Sequence, residues 1–348
     1  MTDLRRKPRG LPPNAMQEQT EASCEKLFYP MGESLLFRTN DQMLLDAAEE
    51  TFGGFPPHPQ RSPQAPLKLQ IFLHDVDSHG SPRFGGTSSR PIYRTHGHLM
   101  YVSLGAANTA AVDLLKGCAF GFVTADMAHD RPTLRHIFLE GLALIMLGTA
   151  RQFIPVHAAC VVGGGMSISL LGSAGSGKST LAYACVRRGY QLLAEDGLMV
   201  KCQPEGATLW GIPWKLHLLP DAKSFFPELA AEEPKLQVNG EWKLEVRPER
   251  YFPGSTRTHA APGPVLFLEQ GSKPGPTRMQ PLAGDEALES FEVVWPWWVG
   301  WTDEMERQLP RLLSHGAYRL RVQGPPDEIE DALDALVAEH NPSGQSPQ

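Results

Sequence analysis

Read for its apolar positions, the chain changes character near residue 150. Before that point, short alternating strands mix with helices. Ser34-Leu35-Leu36-Phe37-Arg38-Thr39 predicts a strand. Asn40 or Asp41 can cap a helix whose Met43, Leu44, Ala47 and Ala48 share one face, with Gly53-Gly54 as its stop. Pro56 to Pro66 reads as a connector, Leu67 to Leu73 as a strand, and Ser78 to Arg90, rich in Gly, Ser and Arg, as an exposed loop. Pro91 to Tyr93 and His98 to Leu104 predict a hairpin around Gly97. A short helix is expected near Thr109 to Lys116, a strand over Ala119 to Thr124 and a helix over Thr133 to Leu147. Residues 1–26, polar and rich in Pro and charge, read as a disordered arm. Residues 27–150 read as a small mixed α/β domain in which no motif speaks for chemistry.

Beyond that point the strands are continuously apolar. Ile154 to Val162 and Met166 to Leu171 flank Gly163-Gly164-Gly165. A glycine-rich loop, Gly172-Ser173-Ala174-Gly175-Ser176-Gly177-Lys178-Ser179-Thr180, opens a helix from Lys178 to Arg188. Gly189 ends that helix, and Tyr190 to Ala194 is the next strand, carrying Glu195-Asp196 at its carboxyl end before a strand over Leu198 to Cys202. After Asp221 the pattern weakens into hairpins, with a clear strand at Pro264 to Glu269 and helices at Thr302 to Ser314 and Pro326 to Glu339. Residues 341–348 read as a frayed tail. The fold class is α/β, with a P-loop-containing domain over 151–340 preceded by the smaller domain.

The loop fits G-x-x-x-x-G-K-[ST], in the strand–loop–helix context that makes a chance match implausible. Its glycines let successive backbone N–H groups turn toward phosphate oxygens, and the helix start adds its positive dipole end. Lys178 brings a full charge to the β and γ phosphates. The Ser179 hydroxyl can ligate Mg²⁺, with Thr180 in support. ATP and Mg²⁺ are therefore the expected cofactors, and Gly172 through Thr180 the expected nucleotide site.

Composition narrows the partners. The 348 residues carry a formal net charge of -7, which argues against a protein that coats nucleic acid. The 5 cysteines are scattered without metal-ligand spacing and read as free thiols of a cytoplasmic protein. No apolar stretch follows the basic N-terminus, so no secretory signal is expected. The run from Ile137 to Ala150 is too short to span a bilayer and reads as a core helix, so no membrane association is expected. The sequence is compatible with a homo-oligomer.

Glu195 and Asp196 end a strand, and strand ends at the carboxyl edge of a parallel sheet face the nucleotide crevice. One carboxylate there can hold Mg²⁺ and a second can accept the proton of an attacking hydroxyl. The competing reading is a solvated acidic turn. His157, on the strand before the loop, reads by spacing alone as a core histidine more readily than as a catalyst.

From His157 to Asp196 the chain resembles the HPr kinase/phosphorylase family, whose nucleotide fold is shared with PEP carboxykinase. The family's His before the loop is matched by His157, its Arg-Gly after the helix by Arg188-Gly189, and its Ala-Asp-Asp by Ala194-Glu195-Asp196. The resemblance implies that Lys178, Ser179 and Thr180 serve phosphate and metal. It implies that Asp196 serves the metal, that Glu195 is the base for a serine hydroxyl, and that His157 has a catalytic place. Glu replaces Asp at the base position, one methylene longer. The later stretch that in the family supports phosphorolysis and contact with HPr has no counterpart here. The smaller domain resembles that of HPr-kinase-like proteins, some similar to kinases of ribosomal peptides such as lasso-peptide precursors.

The expected function is transfer of the γ-phosphoryl group of ATP to a serine of a peptide or protein. The alternatives are a small-metabolite kinase and a nucleotide-binding regulator without transfer. Weaker features are the tryptophan-rich stretch Trp295 to Trp301, the stretch Gly211 to His217 as a loop near the nucleotide, and Lys215, Lys235, Lys243 and Arg247 as candidates for anionic contacts.

Overall fold

The computed structural model describes residues 21–57, 64–74, 90–204, 206–237, 240–270, 278–294, 303–322 and 326–340. The protein is mixed α/β with several sheets. It divides into two compact units, Met1–Gln152 and Phe153–Gln348. The expected loop over 78–90, apart from Arg90, the tryptophan-rich stretch and the expected tail fall outside the described residues.

In the first unit, the described strands β1 (Cys24–Phe28), β2 (Leu35–Thr39), β3 (Leu67–Leu73), β4 (Ile92–His96), β5 (Leu99–Leu104), β6 (Asn108–Asp113) and β7 (Cys118–Val123) make one sheet, in the order β1-β2-β3-β7-β6-β5-β4. Helix α1 (Gln42–Phe52) starts where expected. The Asp41 carboxylate accepts from the Met43 and Leu44 amides at 2.7 and 3.3 Å, satisfying two of the donors that a helix start leaves open. Leu44, Ala47 and Ala48 are fully buried and α1 packs on the β1–β3 end of the sheet.

Three expectations for this unit need correction. The arm expected over 1–26 loses its last residues to β1, which begins at Cys24 and pairs with β2 through Cys24↔Thr39. The short helix expected near Thr109 to Lys116 is instead strand β6. Its residues alternate strictly between buried and less buried, and it pairs with β5 and β7, so cross-strand packing outweighs the helix preference of Ala110-Ala111. The helix expected over Thr133 to Leu147 is longer, 20 residues from Arg131 to Ala150 (α2). It is long and apolar enough, by length and composition, to cross a membrane. Leu134, Phe138, Leu142 and Met146 are fully buried, and α2 packs on α1, β3 and β7.

The second unit is built on a mixed sheet in the order β11-β9-β10-β18-β20-β19. Its strands are β9 (Ala159–Gly163), β10 (Met166–Leu171), β11 (Gln191–Ala194), β18 (Val265–Gln270), β19 (Arg278–Pro281) and β20 (Ala317–Val322). β10, β18 and β20 are mutually parallel. β9 is antiparallel to both β10 and β11, so β11 runs with β10. Helix α3 (Lys178–Arg187) follows β10. β8 (Ile154–His157), β12 (Gly197–Gln203), β13 (Gly206–Gly211) and β17 (His259–Ala260) form a second sheet, and β14 (Leu216–Leu218), β15 (Pro234–Leu236) and β16 (Trp242–Val246) a third. Its later helices include α4 (Gly284–Val294), α5 (Asp303–Leu313) and α6 (Pro326–His340).

The mixed sheet is buried on both faces, which is why its strands read as continuous apolar runs. Ala159, Val161, Ile168 and Leu170 join a core with Leu181 and Cys185 of α3, Leu216 and Leu218 of β14, and Leu333 of α6. Cys160, Val162 and Leu171 face a second core with Val156, Leu198, Phe291 of α4 and Leu312 of α5. Each fully buried Leu or Val contributes about 1.5–3 kcal/mol relative to leaving it in water.

The strand expected from Ile154 to Val162 is in fact two. It breaks at Ala158, so that β8 lies in the second sheet and β9 in the mixed sheet. The chain after β11 crosses between the same two sheets through Glu195-Asp196 into β12. The two crossings are tied by a backbone hydrogen bond, the Ala158 amide donating to the Asp196 carbonyl at 3.1 Å, and by the pairing of His157 with Gly197.

Candidate active site

The glycine-rich loop joins the carboxyl end of β10 to α3, and Glu195-Asp196 follow the carboxyl end of β11. Because these strands run the same way, both segments lie at one edge of the mixed sheet, with the start of β9 between them. The sheet is mixed and not parallel as expected, yet the edge geometry is the one on which the expectation rested.

The loop needs its glycines. Gly172 has φ +156°, and a Cβ there would lie 2.6 Å from Ser176 Oγ and 2.9 Å from the Leu268 carbonyl oxygen. Gly177, directly before α3, has φ +94°. A side chain at either position would strain the backbone. Lys178 is 7% exposed, and its Nζ donates to the carbonyls of Gly172 at 2.7 Å and Ser173 at 3.1 Å. Burial lowers its pKa, and the charges of Asp196 and Glu195 partly offset that. Ser176 Oγ is buried and, among the described residues, has no hydrogen-bond partner.

The two acids have different surroundings. Ser179 Oγ donates to Glu195 Oε1 at 2.9 Å, and His217 Nδ1 lies 3.1 Å from Glu195 Oε2. The Glu195 side chain is 15% exposed. Burial opposes its ionisation, but the hydrogen bonds and charge of His217 and the hydroxyl of Ser179 outweigh it, so its pKa lies below the usual value. Asp196, by contrast, has a side chain 65% exposed, with its Oδ1 3.1 Å from His157 Nδ1. The structure therefore brings together all of Lys178, Ser179, Glu195, Asp196 and His157. Ser173, Ala174 and Gly175 lie exposed along the loop, and Thr180, the third residue of α3, is half-buried.

His217 is the residue that sequence reasoning did not single out, although it closes the stretch expected to lie near the nucleotide. Its signal was the triplet Leu216-His217-Leu218. Both leucines are buried, which turns the histidine to the opposite face of β14. On that side, His217 Nε2 lies 4.0 Å from Glu245 Oε2, and Glu245 also binds Lys215 at 3.2 Å and Lys235 at 3.7 Å. Lys243 pairs with Glu241, and Arg247 directly precedes the short helix Pro248–Tyr251. Among the described residues, no group of three or more His, Cys, Asp or Glu gathers to hold a metal.

No family model matches the chain. HPr kinase/phosphorylases from strains of Streptococcus thermophilus are 44% identical over 66 residues, 18% of this chain and 21% of theirs. The chain is distantly related to HPr kinase/phosphorylase. The match spans about a fifth of the length of these relatives. The structure of an Hpr(Ser) kinase/phosphatase from Coxiella burnetii covers 55% of this chain and 92% of its own length, at 14% identity and a TM-score of 0.30. The relationship is carried by the sequence segment.

Proposed function

We propose that this chain is a kinase that transfers the γ-phosphoryl group of ATP to a serine hydroxyl of a peptide or protein. The observation that carries it is the pairing of Ser179 with Glu195 at the mouth of the phosphate loop, with Lys178 buried behind it. The residues present fit Mg²⁺ and the phosphates. The buried Ser176 hydroxyl lacks a partner among the described residues, the loop glycines keep the backbone open, and Mg²⁺ asks for only one or two carboxylates beside phosphate oxygens. Bound MgATP would supply the phosphoryl group and neutralise the charge that develops on it. The distant relationship supports the kinase reading; serine as the acceptor follows from the resemblance of 157–196 to that family. HPr itself belongs to the relatives' names and is not proposed as the acceptor.

The surroundings of the acids favour exchanging the roles that the resemblance implied. Glu195, held ionised beside Ser179, suits the metal. Asp196, exposed and backed by His157, suits the acceptor hydroxyl, whose proton it would take as the serine oxygen bonds to the γ-phosphorus and the bond to the β-phosphate oxygen breaks, releasing ADP. Lys178 holds positive charge where the transferred group would lie.

The test is transfer of label from γ-labelled ATP to a panel of serine peptides, with nucleotide binding measured in parallel. Asp196→Asn should keep MgATP binding within a few-fold and lower the transfer rate by ~10²–10⁴-fold, the range for loss of a general base. Glu195→Gln should weaken the Mg²⁺-dependent part of binding. The reverse result would return the base role to Glu195. Binding without acceptor-dependent transfer across the panel would sink the kinase reading in favour of a nucleotide-binding regulator.

A further inference from the structure

Glu195 is suspended between two donors from different elements. Ser179 of α3 holds Oε1 at 2.9 Å and His217 of β14 holds Oε2 at 3.1 Å. A carboxylate on a three-bond side chain that ends a strand has several rotamers open to it, and one anchor would leave it free to swing about that contact. Two anchors on its two oxygens fix both position and plane. β14 packs against α3, so the histidine and the serine are carried by elements that share one core, with Leu216, Leu218 and Leu181 in common.

His217 is itself held. A carboxylate oxygen accepts, so His217 Nδ1, 3.1 Å from Glu195 Oε2, is placed as the donor of that hydrogen bond. The ring's other nitrogen faces Glu245, whose carboxylate is fixed in turn by Lys215 and Lys235. The line from the phosphate loop thus runs Ser179, Glu195, His217, Glu245 and then the two lysines.

We propose that His217 is a positioning residue for the metal carboxylate: it orients Glu195 toward Ser179 so that the pair can hold Mg²⁺, without touching nucleotide or acceptor itself. This rests on the kinase reading above and extends it to a residue outside the stretch that resembles the family. Partners that orient a metal ligand by hydrogen bonding typically contribute about 10–100-fold to metal affinity. The geometry also sets which replacement can substitute. Asn places an amide N–H where the histidine Nδ1 sits. Gln reaches toward the other ring nitrogen, and Ala offers no donor.

The test uses the full chain and binding of a fluorescent ATP analogue, titrated with Mg²⁺ and repeated in excess chelator. Folding is checked by circular dichroism. His217→Ala and His217→Gln should raise the Mg²⁺ concentration for half-maximal binding about tenfold or more, with metal-free binding unchanged. His217→Asn should stay within about threefold of the parent. Lys178→Ala should lose binding with and without metal. A merely structural role would weaken binding in the chelator as well, and would not be rescued by Asn. The inference is overturned if His217→Ala keeps the parent's Mg²⁺ dependence, or if Asn is as damaging as Gln. Should the Ala variant not fold, the contrast between Asn and Gln decides alone. If the parent does not bind the analogue, or Lys178→Ala binds it equally well, the failure lies with the nucleotide reading and not with His217.

Discussion

Cys160 shows what burial does to a single reactive group. It is fully buried in β9, paired with Ser169 of β10 and Ala194 of β11, with Ser169 Oγ 3.8 Å from its sulfur, and burial pushes its pKa up to about 12. A folded-state pKa raised above the unfolded value favours the neutral thiol. The stability linked to it is therefore complete below the ordinary thiol value and is lost as pH rises toward 12. A thiol reagent at pH 8 should label Cys24, Cys118 and Cys202 in the native chain, since these are only half-buried, and leave Cys160 untouched until denaturant is added. Mass mapping that finds Cys160 labelled as fast as Cys118 would contradict its placement. At this scale the sequence named most of the residues gathered at the candidate site. Lys178, Ser179 and the acids were legible because the loop pattern has a fixed relation to the helix that follows. His217 was not, because it lies far along the chain and is brought to Glu195 by the packing of β14 on α3.

Helices announced themselves by their ends and strands by their neighbours. Asn40 and Asp41 were both recognisable as cap candidates from type and position; Asp41 is the one that caps, accepting from the Met43 and Leu44 amides. Replacing Asp41 by Ala should lower the stability of the first unit by about 1 kcal/mol, as removal of a capping oxygen does. Denaturant unfolding of the variant checks this, and an unchanged midpoint would show that water serves those amides equally well. Strand β6 was misread because Ala110 and Ala111 favour a helix locally, while their real partners lie in β5 and β7. The break at Ala158 was invisible for a related reason. β8 and β9 are both apolar, and nothing in their composition says that one faces the second sheet and the other the mixed sheet.

Across the molecule, every residue proposed for the site lies in the second unit, and among the described residues both of its cores draw on residues from 154 onward. A chain of residues 153–348 should therefore fold and bind MgATP on its own, with unfolding as a single cooperative step. Calorimetry of that piece, with and without MgATP, checks it; a piece that is unfolded or blind to nucleotide would show that the first unit completes the second. The sequence by itself determined the glycine-rich loop, the helix it opens and the acid pair at the next strand end, because each is a contiguous signal governed by backbone conformation and local hydrogen bonding. Only the tertiary structure decided that the sheet is mixed, that two strands cross between sheets at Ala158 and at Glu195-Asp196, and that these crossings set His157 against Asp196 and His217 against Glu195. Those pairings depend on which faces of distant strands are buried together, and burial is a property of the packed chain that no local pattern encodes.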